Sequence, residues 1–353
     1  MEEVWREEGA SASRIEAALR QMIWRHVDAD EGSRPWLVPP RVLNLVVIGD
    51  AGLAGEVENR LRRAGRLQPS RLVVCAVEEG RRGITARAGV GVDDARHVPG
   101  RIALAHERVE ITVGPQHLST LDTIVDLLLV PDLTTLVWSP QGHNEGVDAL
   151  RRLAQVVVFD SHDGPDAVTT LARATELAHD SYVVDLAWLR STPWRERVAA
   201  VFDPADMRPE LDAIAGVTVR HRGDSLAAAL LFSGWLCSRL RWRPSRLTGG
   251  RGALSGDAES AQRDVGIRLE AVEIEPPGLD GVTIELASGA AVSFDRAPGG
   301  LRTTRRGARG GERVGTLFGA SRGEAGILGD AMRQALLRDP TYRPALSCAR
   351  TMV

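Results

Sequence analysis

Four short stretches hold side chains of the types that do chemistry. The first is Gly49-Asp50-Ala51-Gly52-Leu53-Ala54-Gly55, directly after the apolar run at 42–48. Glycines between a strand and a helix let a backbone approach a pyrophosphate at the helix N-terminus. Glu78 then stands about where a dinucleotide fold places its ribose-binding acid. The pattern departs at its centre, where Ala51 replaces the middle glycine and Asp50 adds negative charge, so a plain connecting loop fits these residues too. The second stretch, Asp160-Ser161-His162-Asp163, has the residue types of an acyl-transfer triad. Adjacent residues cannot converge as a triad does, and no G-x-S-x-G surrounds them. A helix cap and loop is expected, with a small-molecule site at the strand ends as the alternative. The third set is Asp93, Asp94 and His97, with His143 and His162; none has a metal-ligand spacing such as H-E-x-x-H. The fourth runs from Arg302 to Arg313 and is rich in Arg and Gly. Its guanidinium groups suit phosphates or an acidic partner, and without an aromatic residue it otherwise reads as a solvated loop.

A denser cluster lies at 180–202, where Trp188, Arg190, Trp194 and Arg195 fall close together in a chain with only 4% aromatics. Ser191-Thr192-Pro193-Trp194 reads as a helix start, with a hydroxyl at the N-cap and Pro at the first helical position. Trp194, Val198, Val201 and Phe202 then share one face. Both tryptophans could be core anchors, with the arginines closing a domain junction. The other reading is a partner surface, because Trp and Arg dominate interface hot spots. The candidate partner-binding residues are Trp188, Arg190, Trp194 and Arg195, joined by Trp138 and Asp132 from a neighbouring strand end. On that reading, Arg190→Ala and Arg195→Ala lose the effect on the partner without unfolding. No nucleophile–base pair, paired-carboxylate site or cofactor motif emerges, so a non-enzyme without cofactor or metal is expected.

Composition narrows the field further. The chain has no lysine; all 44 basic residues are Arg. That removes Schiff-base chemistry and a phosphate-loop lysine. A net charge of -3 gives no general attraction to nucleic acid. Cys75, Cys237 and Cys348 are far apart and are expected as reduced thiols, two of them in the core. No apolar run approaches the length of a membrane span, and the acidic start M-E-E-V-W-R-E-E does not read as a signal peptide. A cytoplasmic location is the expectation.

The elements that must position these residues alternate between strand and helix through the first half. Apolar runs at 42–48, 72–77, 134–138 and 156–159 read as buried parallel strands. Helices are expected at 56–64, 118–129, 147–154 and 165–178, and a hairpin-like strand pair at 84–90 and 101–113 makes the sheet mixed. Ser13-Arg14-Ile15-Glu16 reads as a capping box opening an earlier helix, and residues 34–40 are Pro-rich. After the Trp/Arg stretch come a strand at 217–221, a well-capped helix at 224–240, a Gly/Ser-rich linker at 248–264, antiparallel strands at 266–275, 282–286 and 291–294, and a last helix at 324–338. The expected fold class is α/β, a mostly parallel mixed sheet flanked by helices, followed by a smaller α+β domain. The expected domains are 1–165 and 166–353.

Several segments also resemble a known family. D-L-A-W-L-R-S-T-P-W-R at 185–195 is similar to a signature of the glucose-6-phosphate dehydrogenase assembly proteins, the OpcA family of actinobacteria and cyanobacteria. R-V-L-N-L-V-V at 41–47, P-S-R-L-V-V at 69–74, L-L-V-P-D-L-T-T-L-V-W at 128–138 and V-V-F-D-S at 157–161 agree in the same order. The resemblance implies a non-catalytic protein that binds glucose-6-phosphate dehydrogenase, promotes its active oligomer as an allosteric activator, and so serves the oxidative pentose phosphate pathway and NADPH supply. It implies neither a nucleic-acid nor a membrane partner. The alternative is an enzyme or sensor binding a nucleotide or sugar phosphate at the strand C-termini.

Overall fold

A computed structural model describes residues 3–28, 42–53, 55, 59, 70–92, 105–250, 252–318 and 323–353. The chain forms two compact units, Met1–Phe159 with Asp180–Val183, and Asp160–His179 with Val184–Val353. The helix expected at 56–64 (apart from Asn59), the Pro-rich stretch at 34–40, and Asp93, Asp94 and His97 lie outside the described residues.

The first unit is built on a sheet of strands β1 (Glu3–Glu8), β2 (Leu43–Asp50), β3 (Ser70–Val77), β4 (Thr85–Val92), β5 (Ala105–Val113), β6 (Thr134–Trp138), β7 (Val156–Phe159) and β8 (Tyr182–Asp185), of which Tyr182 and Val183 belong to this unit. Their order is β1-β4-β5-β3-β2-β6-β7-β8. β2 pairs parallel with β3 and β6, β3 with β5, and β6 with β7. β4 pairs antiparallel with β5 and β1, which makes the sheet mixed as expected. Leu43–Gly49 of β2 is buried throughout, because a central parallel strand is covered on both faces. Among the described residues this unit has helices α1 (Ala12–Asp28), α2 (Leu121–Val125) and α3 (Asn144–Leu150). Two expectations change in this unit. The helix expected at 118–129 is broken into α2 and flanking 3-10 turns, which still turn Leu118, Leu121, Val125 and Leu128 inward. The capping box does not form, since α1 starts at Ala12 with the Ser11 carbonyl accepting from Arg14 and Ile15, and Glu16 instead pairs with Arg71.

That pair belongs to the buried centre of the unit. Arg71 donates to Glu107 at 2.9 Å, to the Leu128 carbonyl at 3.0 Å, and to Glu16. Nearby in the sheet, Asn44 on β2 is fully buried. Its amide donates to the Val130 carbonyl and accepts from the Val130 N–H, both at 3.0 Å, and so pins the loop that leads into β6.

The second unit contains α4 (Ala167–Asp180), α5 (Leu186–Arg190), α6 (Thr192–Phe202), β9 (Ile214–Arg222), α7 (Leu226–Leu240), β10 (Arg243–Pro244), β11 (Thr248–Gly250), β12 (Ala253–Glu259), β13 (Asp264–Val272), β14 (Leu279–Leu286), β15 (Ala291–Ala297), β16 (Gly300–Arg306), β17 (Glu312–Phe318), α8 (Gly323–Leu337) and α9 (Tyr342–Thr351). Its sheet runs β10-β12-β13-β9-β14-β15-β16-β17, with β11 on β12. β9 and β13 are parallel, and β10–β12, β11–β12, β12–β13, β9–β14, β14–β15, β15–β16 and β16–β17 are antiparallel. Val217, Val219, Val265, Ile267, Leu269, Val282, Ile284 and Phe294 form the inward face. α7 packs on β9 and β13 and is apolar around most of its circumference, as a helix between a sheet and α9 must be.

Three expectations change here as well. The Gly/Ser-rich stretch at 248–264 is mostly strand: of β12 only Ala258 is fully buried, so its polar side resembles a loop in composition. The Arg/Gly stretch at 302–313 is a hairpin, with Gly310 (φ 88°) and Gly311 (φ 84°) supplying the left-handed turn. The cap of α7 also differs: Ser225 makes no side-chain bond to the helix and instead accepts from the Gly278 N–H at 2.9 Å.

Candidate functional site

The Trp/Arg stretch grows from one buried carboxylate. Asp185 ends β8 and caps α5, accepting from the Ala187 N–H at 3.0 Å. It also accepts from the Ser161 N–H at 3.1 Å, from the Ser161 hydroxyl, and from the Tyr342 hydroxyl at 3.0 Å. Burial, and then the nearby charge of Asp160, push the Asp185 carboxyl from 3.8 up to about 6, although the Ser161 and Tyr342 bonds pull it down. A native carboxyl raised above its unfolded value contributes stability that is complete below pH 3.8 and is lost as pH rises through about 6. Asp185→Asn, which keeps an oxygen acceptor for both N–H groups, is therefore expected to flatten the stability–pH profile between those limits by about 3 kcal/mol relative to wild type. Urea midpoints across that range check this; parallel profiles for the two proteins would contradict it.

Next along the chain, Trp188 and Trp194 are 2% and 3% exposed. The Trp188 indole N–H donates to Asp339 at 2.9 Å, and its ring meets that of Tyr342 edge-on at 5.6 Å. The Arg195 guanidinium lies 3.5 Å from the Trp188 ring centroid and donates to the Trp188 carbonyl at 3.1 Å and to the hydroxyls of Ser191 and Thr192. Burial lowers its pKa to about 10, against the charge of Asp339 3.7 Å away. Ser191 caps α6 by position alone, because its hydroxyl donates back to the Trp188 carbonyl. Arg190 clamps Asp160 with two bonds of 2.8 and 2.7 Å. Together these residues form one cation–π and carboxylate network. Replacing Arg190 or Arg195 would strip a counter-charge from a buried group, so a stability cost accompanies any effect on a partner.

The remaining candidates lie elsewhere. Trp138 is buried at the end of β6, and Asp132 is exposed in the turn before it, at φ 63°. Both belong to the first unit. At the end of β2 two side chains approach the start of the Gly-rich loop, whereas Gly52 has open space around it. Gln141 Oε1 lies 2.6 Å from where a Cβ would stand on Gly49, and Asp50 pairs with His143 Nε2 at 2.9 Å. That places a carboxylate and an amide where a pyrophosphate would need open backbone N–H groups.

The Asp160–Asp163 stretch is not a triad. Asp160 serves Arg190, Ser161 serves Asp185, and His162 Nε2 accepts from Arg222 at 3.0 Å. α4 is capped instead by Asp166, which accepts from Thr169 N–H. Among the described residues no three His, Cys, Asp or Glu side chains group to hold a metal, and no helix is long and apolar enough to cross a membrane. Cys75 and Cys237 are buried, as expected of two of the three thiols, and Cys348 is half-buried. Burial pushes Cys237 up to about 12, so it is an inert thiol at neutral pH.

The residues missed by inspection are Asp185, Tyr342 and Asp339. Tyr342 and Asp339 are 157 and 151 positions from the groups they bond. Local spacing carries no trace of such partners; an aspartate closing an apolar strand before a helix was the one available signal for Asp185.

Two family models match the chain in sequence. Residues 62–176 match the glucose-6-phosphate dehydrogenase subunit N-terminal domain of the OpcA family, and residues 181–346 match its C-terminal domain. A protein of Synechococcus elongatus named OxPP cycle protein OpcA is 28% identical over 222 residues, 60% of this chain and 49% of that protein. A Nostoc punctiforme protein of the same name is 31% identical over 131 residues, 36% of this chain and 28% of that protein. The chain thus spans about half the length of the first of these relatives or less. A solved oxidoreductase from Sinorhizobium meliloti covers 88% of this chain and 95% of its own at 13% identity, with a TM-score of 0.48, too low to carry a role across. With both of its domains matched in order, this chain belongs to the OpcA family.

Proposed function

We propose that the chain binds glucose-6-phosphate dehydrogenase and favours its active assembly, leaving the chemistry to that enzyme. The observation that carries this reading is the family match, in which both domains described as belonging to a glucose-6-phosphate dehydrogenase subunit occur in order on one chain. The network around Asp185, Trp188 and Arg195 supports a non-catalytic role, since each polar group there is spent on an internal partner. Such a protein acts only by binding the active state of its partner more tightly than the inactive one. Its consequence would be faster entry into the oxidative pentose phosphate pathway and a larger NADPH supply.

Within this reading, Asp132 is the exposed member of the six candidate residues. Trp138 would act by keeping the first unit's own fold in shape, and Trp188, Arg190, Trp194 and Arg195 by keeping the second's. Size-exclusion chromatography with light scattering, on this chain mixed with the dehydrogenase of the same genome, tests the first step. A co-eluting complex of defined mass is expected; separate elution of both proteins at micromolar concentration would remove the reading. Binding of a nucleotide or sugar phosphate at the strand ends has less support, because Asp50, paired with His143, sets a carboxylate at the end of β2 where phosphates would bind.

A further inference from the structure

β17 is an edge strand, paired with β16 on one side and with nothing described on the other. Its register places Val314, Thr316 and Phe318 opposite Thr304, Arg302 and Gly300. These in turn continue into Ser293 and Asp295 of β15 and Thr283 and Gly281 of β14. This face is the polar side of the sheet, opposite the apolar core. On it Val314 and Phe318 are 62% and 76% exposed, two apolar side chains four residues apart along one strand. Proteins usually blunt a free edge by shortening it or by keeping it polar. Here a seven-residue edge carries two apolar anchors.

Charge marks the kind of partner that fits. Arg302, Arg305, Arg306, Arg309 and Arg313 are all exposed along this hairpin, and among the described residues none of them is in an ion pair. Glu312 is the single acid within it. Free N–H and C=O groups that alternate along an edge are satisfied by another peptide strand rather than by a row of phosphates. Pairing of β17 with a second copy of itself would bring two arginine clusters together, a repulsive arrangement.

We propose that β17 is a docking edge for an extended, acidic segment of the partner, which joins the sheet as an added strand and covers Val314 and Phe318. This rests on the dehydrogenase being the partner and names the surface it uses. The test is the affinity of the full chain for the dehydrogenase of the same genome, by isothermal titration, for wild type, Val314→Asp/Phe318→Asp and Arg306→Glu/Arg313→Glu. Hydrogen exchange of the β17 amides is followed in the wild-type complex, which settles the matter even if a variant fails to fold.

The expected result is binding at least tenfold weaker in both variants at unchanged thermal midpoints, affinity that falls with salt, and slowed exchange at 313–318 on binding. Wild-type affinity in both variants with unchanged exchange along β17 would overturn the docking edge while leaving the partner in place. Absence of any wild-type complex would overturn both.

Discussion

Arg71→Ala is expected to lower the unfolding free energy of the first unit by about 3–5 kcal/mol, the cost of removing one partner of a buried pair. Arg71 and Glu107 are 4% and 1% exposed in their side chains, and the guanidinium also satisfies Glu16 and the Leu128 carbonyl. Its loss takes the guanidinium away from the buried Glu107 carboxylate and from Glu16 together. Arg71→Met with Glu107→Gln should recover much of the loss, because a neutral pair removes the buried charge along with the bond. Urea unfolding of the three proteins measures this. A single variant no less stable than the double would show that the pair is not what holds this part of the sheet.

Asp339→Ala is the counterpart in the second unit, with an expected loss of about 3 kcal/mol. Burial raises the Asp339 pKa, but bonds from the Thr341 hydroxyl and N–H, from Trp188 and the charge of Arg195 outweigh it and hold the carboxyl below its ordinary value. Removing it orphans the Trp188 indole N–H and leaves Arg195 on the Trp188 ring without its counter-charge. The tryptophan fluorescence of the native state should shift as that indole loses its partner. An unchanged spectrum together with unchanged stability would mean the network does not depend on Asp339.

The central strands were legible because burial on both faces leaves an unbroken apolar run, as in β2 and β6. The helical face of Trp194, Val198, Val201 and Phe202 was legible for the same reason, since each is buried. β12, β16 and β17 were not. Each turns at least one polar side to solvent, and glycines and arginines there resemble a loop in composition although the register is regular. α9 escaped notice because Leu346 is the one large aliphatic among its buried positions, the others, Tyr342, Ala345 and Ala349, being polar-tipped or small. In the candidate cluster the tryptophans and arginines stood out by type, whereas the groups that fix them, Asp339, Tyr342 and Ser161, come from distant segments. Segments that carried the family likeness hold buried polar anchors: Asn44, Arg71, Ser161 and Asp185.

The most direct measurement is the turnover of glucose-6-phosphate dehydrogenase as this chain is titrated into it at fixed substrate. A saturable rise in rate, levelling at a fixed molar ratio of the two proteins, is the result expected of a protein that favours the active assembly. A flat titration, at concentrations where the two proteins co-elute, would contradict it and leave a bound subunit without regulatory effect.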